Sequence, residues 1–428
     1  MSPHKLHIET PRFWRDPPLM CEELIHGLAK RIDDWSAIEK IAIVEKYGDF
    51  THALRTILVD ELKKMSLEEL IEKTTILALN VLTTGSLRHE WDIIRTLPDG
   101  PLIQHLEENQ YDIIIANPPY QDVAHKESKS KSWQLFLVTS LQQAIKAEGY
   151  LVFVSPHSWR ALRSTKWSGM ADTEGLPFDI VTKKNSLLDL WPYMERHFPD
   201  GMTRWGVILR NRNSTDETLT TLNYNKETSE EINLHGLDFL PESVTPEIIE
   251  LCRSIYNGCD TYESVKSDGQ HSQQSRGKLW NEEDEGPTEQ YPYPIFHASP
   301  DRKFHTKEKL EHTDKEKIIF SRNGYQHEYY DKEGKFTCSE EAYYIEIENQ
   351  EHANSILALM KSKVWGLYLR QVQSRGNTWR LAVMKIPRLS LKEGASEEDI
   401  LGALPLSEDV RKAILELIKE KITPNIDN

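Results

Sequence analysis

Asn117-Pro118-Pro119-Tyr120 is the stretch in which residue type, order and position together favour chemistry. It follows YDIIIA (111–116), a continuous β-branched run that predicts a strand buried on both faces. Ligands of open α/β sheets sit outside the carboxyl ends of the strands, so the tetrad falls where an active site belongs. The exocyclic amine of adenine is a poor nucleophile, because its lone pair is delocalised into the ring. The side-chain carbonyl of Asn117 and the backbone carbonyl of Pro118 can accept the amine's two hydrogens. That drives the nitrogen toward tetrahedral geometry and frees its lone pair for in-line attack on a methyl donor. Orientation and preorganised dipoles carry such a step, with no ionised base and no metal. Consecutive prolines stiffen the loop and offer carbonyls without competing N–H groups. Tyr120 can stack on a base flipped out of a duplex. The plainer alternative is a strand that stops at a Pro-Pro turn.

The surrounding elements must hold this loop in place. WQLFLVTSLQQAIKAEG reads as a helix ending at Gly149, and YLVFVSP after it as a second buried strand ending at Pro156. Strand, helix and strand within about 45 residues make a βαβ unit, which predicts a parallel sheet with covering helices. FDIVTKKN and RWGVILRNR add further strands up to 212. Residues 12–80 read mainly helical, from CEELIHGLAKRI and from SLEELIEKTTILALNVL with Ser66 as its N-cap. Residues 213–290 are polar and acidic and read as a connector. From 291 on, YPYPIF, KIIFSRNG and EAYYIEIE read as strands, HANSILALMKSKVWGLYLRQV as a helix, and KIPRLSL as an extended piece.

YDIIIANPPY, a helix, and then EGYLVFVSPHSW resemble the TaqI-like branch of the N6-adenine DNA methyltransferases, which includes the methylating parts of some restriction–modification enzymes. The resemblance spans 80–210 well and the rest loosely. It implies an α/β, Rossmann-like, S-adenosylmethionine-dependent methyltransferase domain with a mostly parallel sheet (1–212, with residues 1–80 helical). The acidic connector (213–290) and an α+β target-recognition domain with a helical end (291–428) follow. It implies S-adenosylmethionine as cofactor and a flipped adenine held by Asn117, Pro118, Pro119 and Tyr120, with Phe198 on the base's other face. The reading of Phe198 as an ordinary core aromatic stays open beside it. The implied partners are double-stranded DNA and either a separate restriction nuclease or a second methyltransferase subunit.

The charge pattern bears on DNA independently. The chain carries 52 Lys and Arg against 68 Asp and Glu in 428 residues, a net charge of −16, which excludes a histone-like coating protein but not a local basic surface. From Lys361 to Lys392 stand eight basic residues (Lys361, Lys363, Arg370, Arg375, Arg380, Lys385, Arg388, Lys392) and no acidic one, with Trp365, Tyr368 and Trp379 between them. That is a footprint for phosphates, its alternative a solvated helix face. Lys129 and Lys131, after the proposed catalytic loop, and Arg160, after the next strand, are further backbone-contact candidates, against mobile surface loops. No apolar run approaches the roughly 20 residues of a membrane span. Cys21, Cys252, Cys259 and Cys338 lack paired CxxC spacing, so a cytoplasmic protein without disulfides or structural zinc is expected.

The glycine pattern is incomplete. A methyltransferase of this kind opens with a strand and a glycine-rich turn, for which KIAIVEKYGDFTHALRTIL (40–58) is the nearest candidate, with a single glycine, Gly48. Glu45, Gly48 and Asp60 are the cofactor-binding candidates, although Asp60 lies close to Gly48. Either the pocket is built in a divergent way, or the chain is a DNA-binding or regulatory subunit with little or no catalysis of its own.

Overall fold

The computed structural model describes residues 17–45, 48–64, 75–80, 110–117, 132–161, 177–192, 194, 204–215, 217–224, 228–268, 270–282, 286–297, 299–321, 328–372 and 383–420. They fall into two compact units, one of residues 1–160 and 164–235, the other of 161–163 and 236–428.

The first unit is an α/β, Rossmann-like fold. Its elements run α1 (Pro17–Arg31), β1 (Lys40–Glu45), α2 (Gly48–Lys64), β2 (Thr75–Asn80), β3 (Tyr111–Asn117), α3 (Ser132–Thr139), β4 (Ile145–Pro156), α4 (Pro177–Thr182), β5 (Ser186–Trp191), β6 (Arg204–Arg210), β7 (Leu219–Asn223) and β8 (Ser229–Asn233). They build an eight-stranded sheet in the order β2-β1-β3-β4-β6-β5-β7-β8. The pairs β2–β1, β1–β3 and β3–β4 are parallel, and β6 runs antiparallel to both β4 and β5. Every residue of β3 is buried, as its unbroken apolar run requires of a central parallel strand. Alternate residues of β1, β3 and β4 (Ile41, Ile43, Ile113, Ile115, Val152, Val154) pack with Met20, Leu24 and Leu28 of α1 and Leu58 and Leu62 of α2 into one core.

Three expectations are corrected here. Thr75–Asn80 is a strand, paired residue for residue with Lys40–Glu45, not the end of a helix. Phe178–Thr182 belongs to the short helix α4, and the strand follows it at Ser186–Trp191. The helix before β4 stops at Ala144 rather than Gly149. The Asn211 side chain donates to the carbonyls of Ile145 and Lys146 at 3.0 and 3.2 Å and Glu148 N–H to Asn211 O, which ends the helix and holds the irregular start of β4, where Glu148 takes a φ of +67°.

Gly27 of α1 meets the Trp191 ring so closely that a Cβ there would stand 2.6 Å from it. Gly27→Val should cost about 1–3 kcal/mol, as overpacking of a filled core does. An unchanged denaturant midpoint would show that Trp191 can move aside.

The residues read as a connector divide between the units. Residues 219–223 and 229–233 are β7 and β8, which extend the first sheet; β8 ends it with exposed acidic side chains that discourage further pairing. The second unit begins with α5 (Pro246–Asn257), capped by the Thr245 side chain. Its strands are β9 (Lys266–Ser267), β10 (Trp280–Glu282), β11 (Tyr293–His297), β12 (Ser299–Thr306), β13 (Lys317–Ser321), β14 (Tyr329–Asp331), β15 (Thr337–Cys338) and β16 (Ala342–Glu346). They form two four-stranded sheets, β10-β12-β11-β15 and β14-β13-β16-β9. The helices α6 (Gln350–Lys361), α7 (Lys363–Val372), α8 (Glu397–Ala403) and α9 (Glu408–Glu420) follow. The single long helix expected over 352–372 is broken at Ser362, whose backbone is extended. Among the described residues, no helix is long and apolar enough to cross a membrane.

Candidate functional site

Three parallel strands bring their last residues into one row. Glu45 of β1 pairs with Asn80 of β2 on one side and with Asn117 of β3 on the other. This row lies at the carboxyl edge of the sheet, where the sequence placed the site. Asn117 is buried, 7% exposed, although it closes its strand. On the other side of β3, β4 runs past the row to Ser155 and Pro156.

Helix α2 starts at Gly48. The amino end of a 17-residue helix, whose first backbone N–H groups have no partner within the helix itself, therefore begins three residues after Glu45. Strand β1, helix α2 and strand β2 make a complete βαβ unit around the single glycine. Of the cofactor candidates, Glu45 and Gly48 stand at this edge. Asp60 does not: it lies twelve residues into α2 and is exposed, about 18 Å along the helix from Gly48. Asn80 occupies the end of the second strand, a position that the helical reading of TTILALN did not give it.

Pro118, Pro119, Tyr120, Phe198, Lys129, Lys131, Arg375 and Arg380 lie outside the described residues. Arg160 is fully buried, with its guanidinium 5.8 Å from the Trp205 ring, which removes it from the solvent-facing contacts. Trp159 meets the same ring edge-on at 5.6 Å.

In the second unit the basic segment separates into outward-facing and inward-facing groups. Lys361, Lys363 and Arg370 are exposed. Lys363 and Arg370, seven residues apart on α7, share one helix face, the opposite face being packed into the core. Trp365 and Tyr368 belong to that core and are 2% and 0% exposed, so they are not available to stack on bases. Lys385 folds back on α5: its ammonium lies 2.7 Å from Asn257 Oδ1 and 4.1 Å from the Tyr256 ring centre. Half-exposed there, Lys385 already has a cation–aromatic contact that a phosphate would have to compete with.

Residues 37–170 match the family model of the Eco57I restriction-modification methylases. The match contains β1, α2, β2, β3 and β4 and thus the whole carboxyl row. No curated protein matches the sequence. Among solved structures, the chain is similar to the type IIL restriction-modification enzyme MmeI, with 10% identity and a TM-score of 0.41 over 95% of this chain and 70% of that one. It is similar to the type IIG restriction endonuclease BpuSI, with 10% identity and a TM-score of 0.38 over 96% of this chain and 61% of that one. The M protein of the type I restriction enzyme EcoKI gives 10% identity and a TM-score of 0.32, over 50% of this chain and 48% of that one. The chain thus spans about half the length of the EcoKI protein and under two-thirds that of BpuSI.

Proposed function

We propose that this chain is a site-specific DNA adenine-N6 methyltransferase that uses S-adenosylmethionine and serves a restriction–modification system. The observation that carries the reading is the row Asn80–Glu45–Asn117 at the carboxyl edge, within the segment matched to the restriction-modification methylases. The edge fits the cofactor: a helix amino end and a polar residue at the tip of each of two neighbouring strands stand beside Asn117. Glu45, the Gly48 turn and Asn80 would hold it, and when bound it supplies an electrophilic methyl group. Asn117 accepts a hydrogen bond from the target amine, the Pro118 carbonyl accepts the second, and Tyr120 stacks on the flipped base. So held, the nitrogen would take the methyl in line, with inversion and no covalent enzyme intermediate, as the methyl–sulfur bond breaks to leave the neutral thioether and the methylated nitrogen gives up one proton to solvent. Exposed cations of the second unit hold the phosphates and set the position of the duplex.

The deciding experiment transfers labelled methyl from S-adenosylmethionine to mixed-sequence duplex DNA. Label on N6 of adenine establishes the reaction. Retained DNA binding without transfer would overturn it in favour of a non-catalytic DNA-binding subunit, the alternative that the single-glycine turn motivates.

The phosphate contacts have their own test. Replacing Lys363 and Arg370 with Gln should weaken DNA binding and lower the slope of log affinity against log salt by about 1.8, roughly 0.9 per lost contact. An unchanged slope would remove this face of α7 from the interface.

A further inference from the structure

The row at the carboxyl edge depends on a register, and that register is fastened at the opposite end of the sheet. Asp112, the second residue of β3, is 8% exposed and carries three contacts. Its Oδ2 accepts the backbone N–H groups of Glu39 and Lys40 at 2.9 and 2.8 Å, where β1 begins. Its Oδ1 lies 2.8 Å from the ammonium of Lys146 at the start of β4. One carboxylate therefore gathers the amino ends of three adjacent strands. Lys146 also reaches Glu39 at 3.3 Å, on the surface.

The geometry around Asp112 leaves little freedom. The β3–β4 register jumps from Tyr111↔Ile145 to Ile113↔Tyr150, so the chain bulges over 146–149 beside Asp112. Gly149 closes that bulge: a Cβ there would lie 2.8 Å from the Asp112 carbonyl oxygen. From Asp112 the pairing runs without interruption, Ile41↔Ile113 through Glu45↔Asn117. Burial pushes the Asp112 carboxyl toward a higher pKa. The hydrogen bonds from Lys146 and from the Lys40 and Glu39 amides outweigh burial and hold it below its ordinary value, so it is ionised at neutral pH.

We infer that Asp112 is a positioning residue for methyl transfer, setting the register of β1 against β3 so that Glu45 stands beside Asn117. It touches neither substrate nor cofactor, lying five residues, about 16 Å, from the row. Displacement of reacting groups by about 1 Å is enough to cost on the order of 10²-fold in rate. A carboxylate that fixes two strands at their origin therefore acts on the alignment of cofactor and target base rather than on DNA binding.

This inference rests on the methyltransferase reading, and the test separates the two. Because both backbone amides go to a single oxygen, Asn at 112 can still accept them while the part-exposed Lys146 turns to Glu39, whereas Ala cannot accept them. Asp112→Ala should lower kcat at least 10-fold while KM for DNA stays within about two-fold. Asp112→Asn should restore kcat to within about three-fold of the native protein. Hydrogen exchange supplies a readout independent of activity: Asp112→Ala should speed exchange of the 41–45 amides at least 10-fold and leave the second unit unchanged. If Asp112→Ala does not fold, Glu39→Pro removes one of the two N–H donors from the other side; Ile38 is extended (φ −84°, ψ 120°), as a residue preceding proline must be. Glu39→Pro should then show the same kcat loss at constant KM for DNA. Native kcat and native exchange in Asp112→Ala would overturn the inference, as would equal losses in the Ala and Asn variants. If the native protein transfers no methyl group, the methyltransferase reading fails, while the exchange of 41–45 still decides whether Asp112 holds the register.

Discussion

Asn117→Ala should lower methyl transfer by at least about 10³-fold while duplex affinity stays within a few-fold of the native value. The rate expectation follows from what the side chain is asked to do. A preorganised dipole aimed at charge that develops in the transition state is commonly worth 10²–10³-fold, and here it must also raise the nucleophilicity of an amine whose lone pair is tied into a ring. The binding expectation follows from the fold. Asn117 closes β3, and its pairing with Glu45 is a backbone matter that alanine preserves. In the proposed reading duplex binding falls to the exposed Lys363 and Arg370 of α7, which the substitution leaves in place. Asn117→Asp keeps an oxygen acceptor at the same point and should retain more of the rate than alanine. A variant that loses duplex binding together with transfer would make Asn117 a structural residue. Single-turnover transfer and equilibrium DNA binding, measured on the same preparations, separate these outcomes.

The strand that carries the candidate site was legible because its pattern had one physical reading. YDIIIAN has seven residues without a helical period, and a central strand is the element that buries all of them. The following Asn-Pro-Pro then marks a carboxyl edge, because neither a strand nor a helix continues through it. TTILALN misled because apolar residues at 76, 77 and 79 suit a helix face as well as a strand; what decides is the partner strand β1, about 35 residues earlier. That error hid Asn80 and left Asp60 as the acidic candidate. Residues 219–233 misled through polarity: β7 and β8 lie at the far end of the sheet, where charged side chains stay in water and help close the edge. Lys385 looked like its basic neighbours, and nothing local tells that its ammonium rests on Tyr256, over 120 residues away in sequence. Asp112 was visible as a letter in the motif, but its role consists wholly of contacts with β1 and β4.

Asp331→Ala should strongly destabilise the second unit, costing about 3–5 kcal/mol. Lys317 of β13 and Asp331 of β14 stand directly opposite each other, with side chains 0% and 2% exposed and 2.8 Å between Nζ and Oδ2. The ammonium also donates to the Lys315 carbonyl at 3.1 Å. The carboxylate accepts the N–H groups of Lys335 and Phe336 at 2.7 and 2.9 Å, shaping the turn that leads to β15. Deleting the carboxylate strands a buried cation and removes the acceptor of two amides at once. Lys317→Met is milder by this argument, since the two amides still hold Asp331 and an apolar chain of similar length fills the space. Nearby, His312 is held down to about 4 by burial and by the Lys317 charge. It therefore stays neutral near pH 7 and accepts the Cys338 N–H at 2.9 Å. The expected order of loss is thus Asp331→Ala well above Lys317→Met, read as shifts in the denaturant midpoint of the second unit. Equal losses would mean that the pair acts by mutual attraction alone. A loss for Asp331→Ala within about 1 kcal/mol would mean that water reaches Lys317 once its partner is removed.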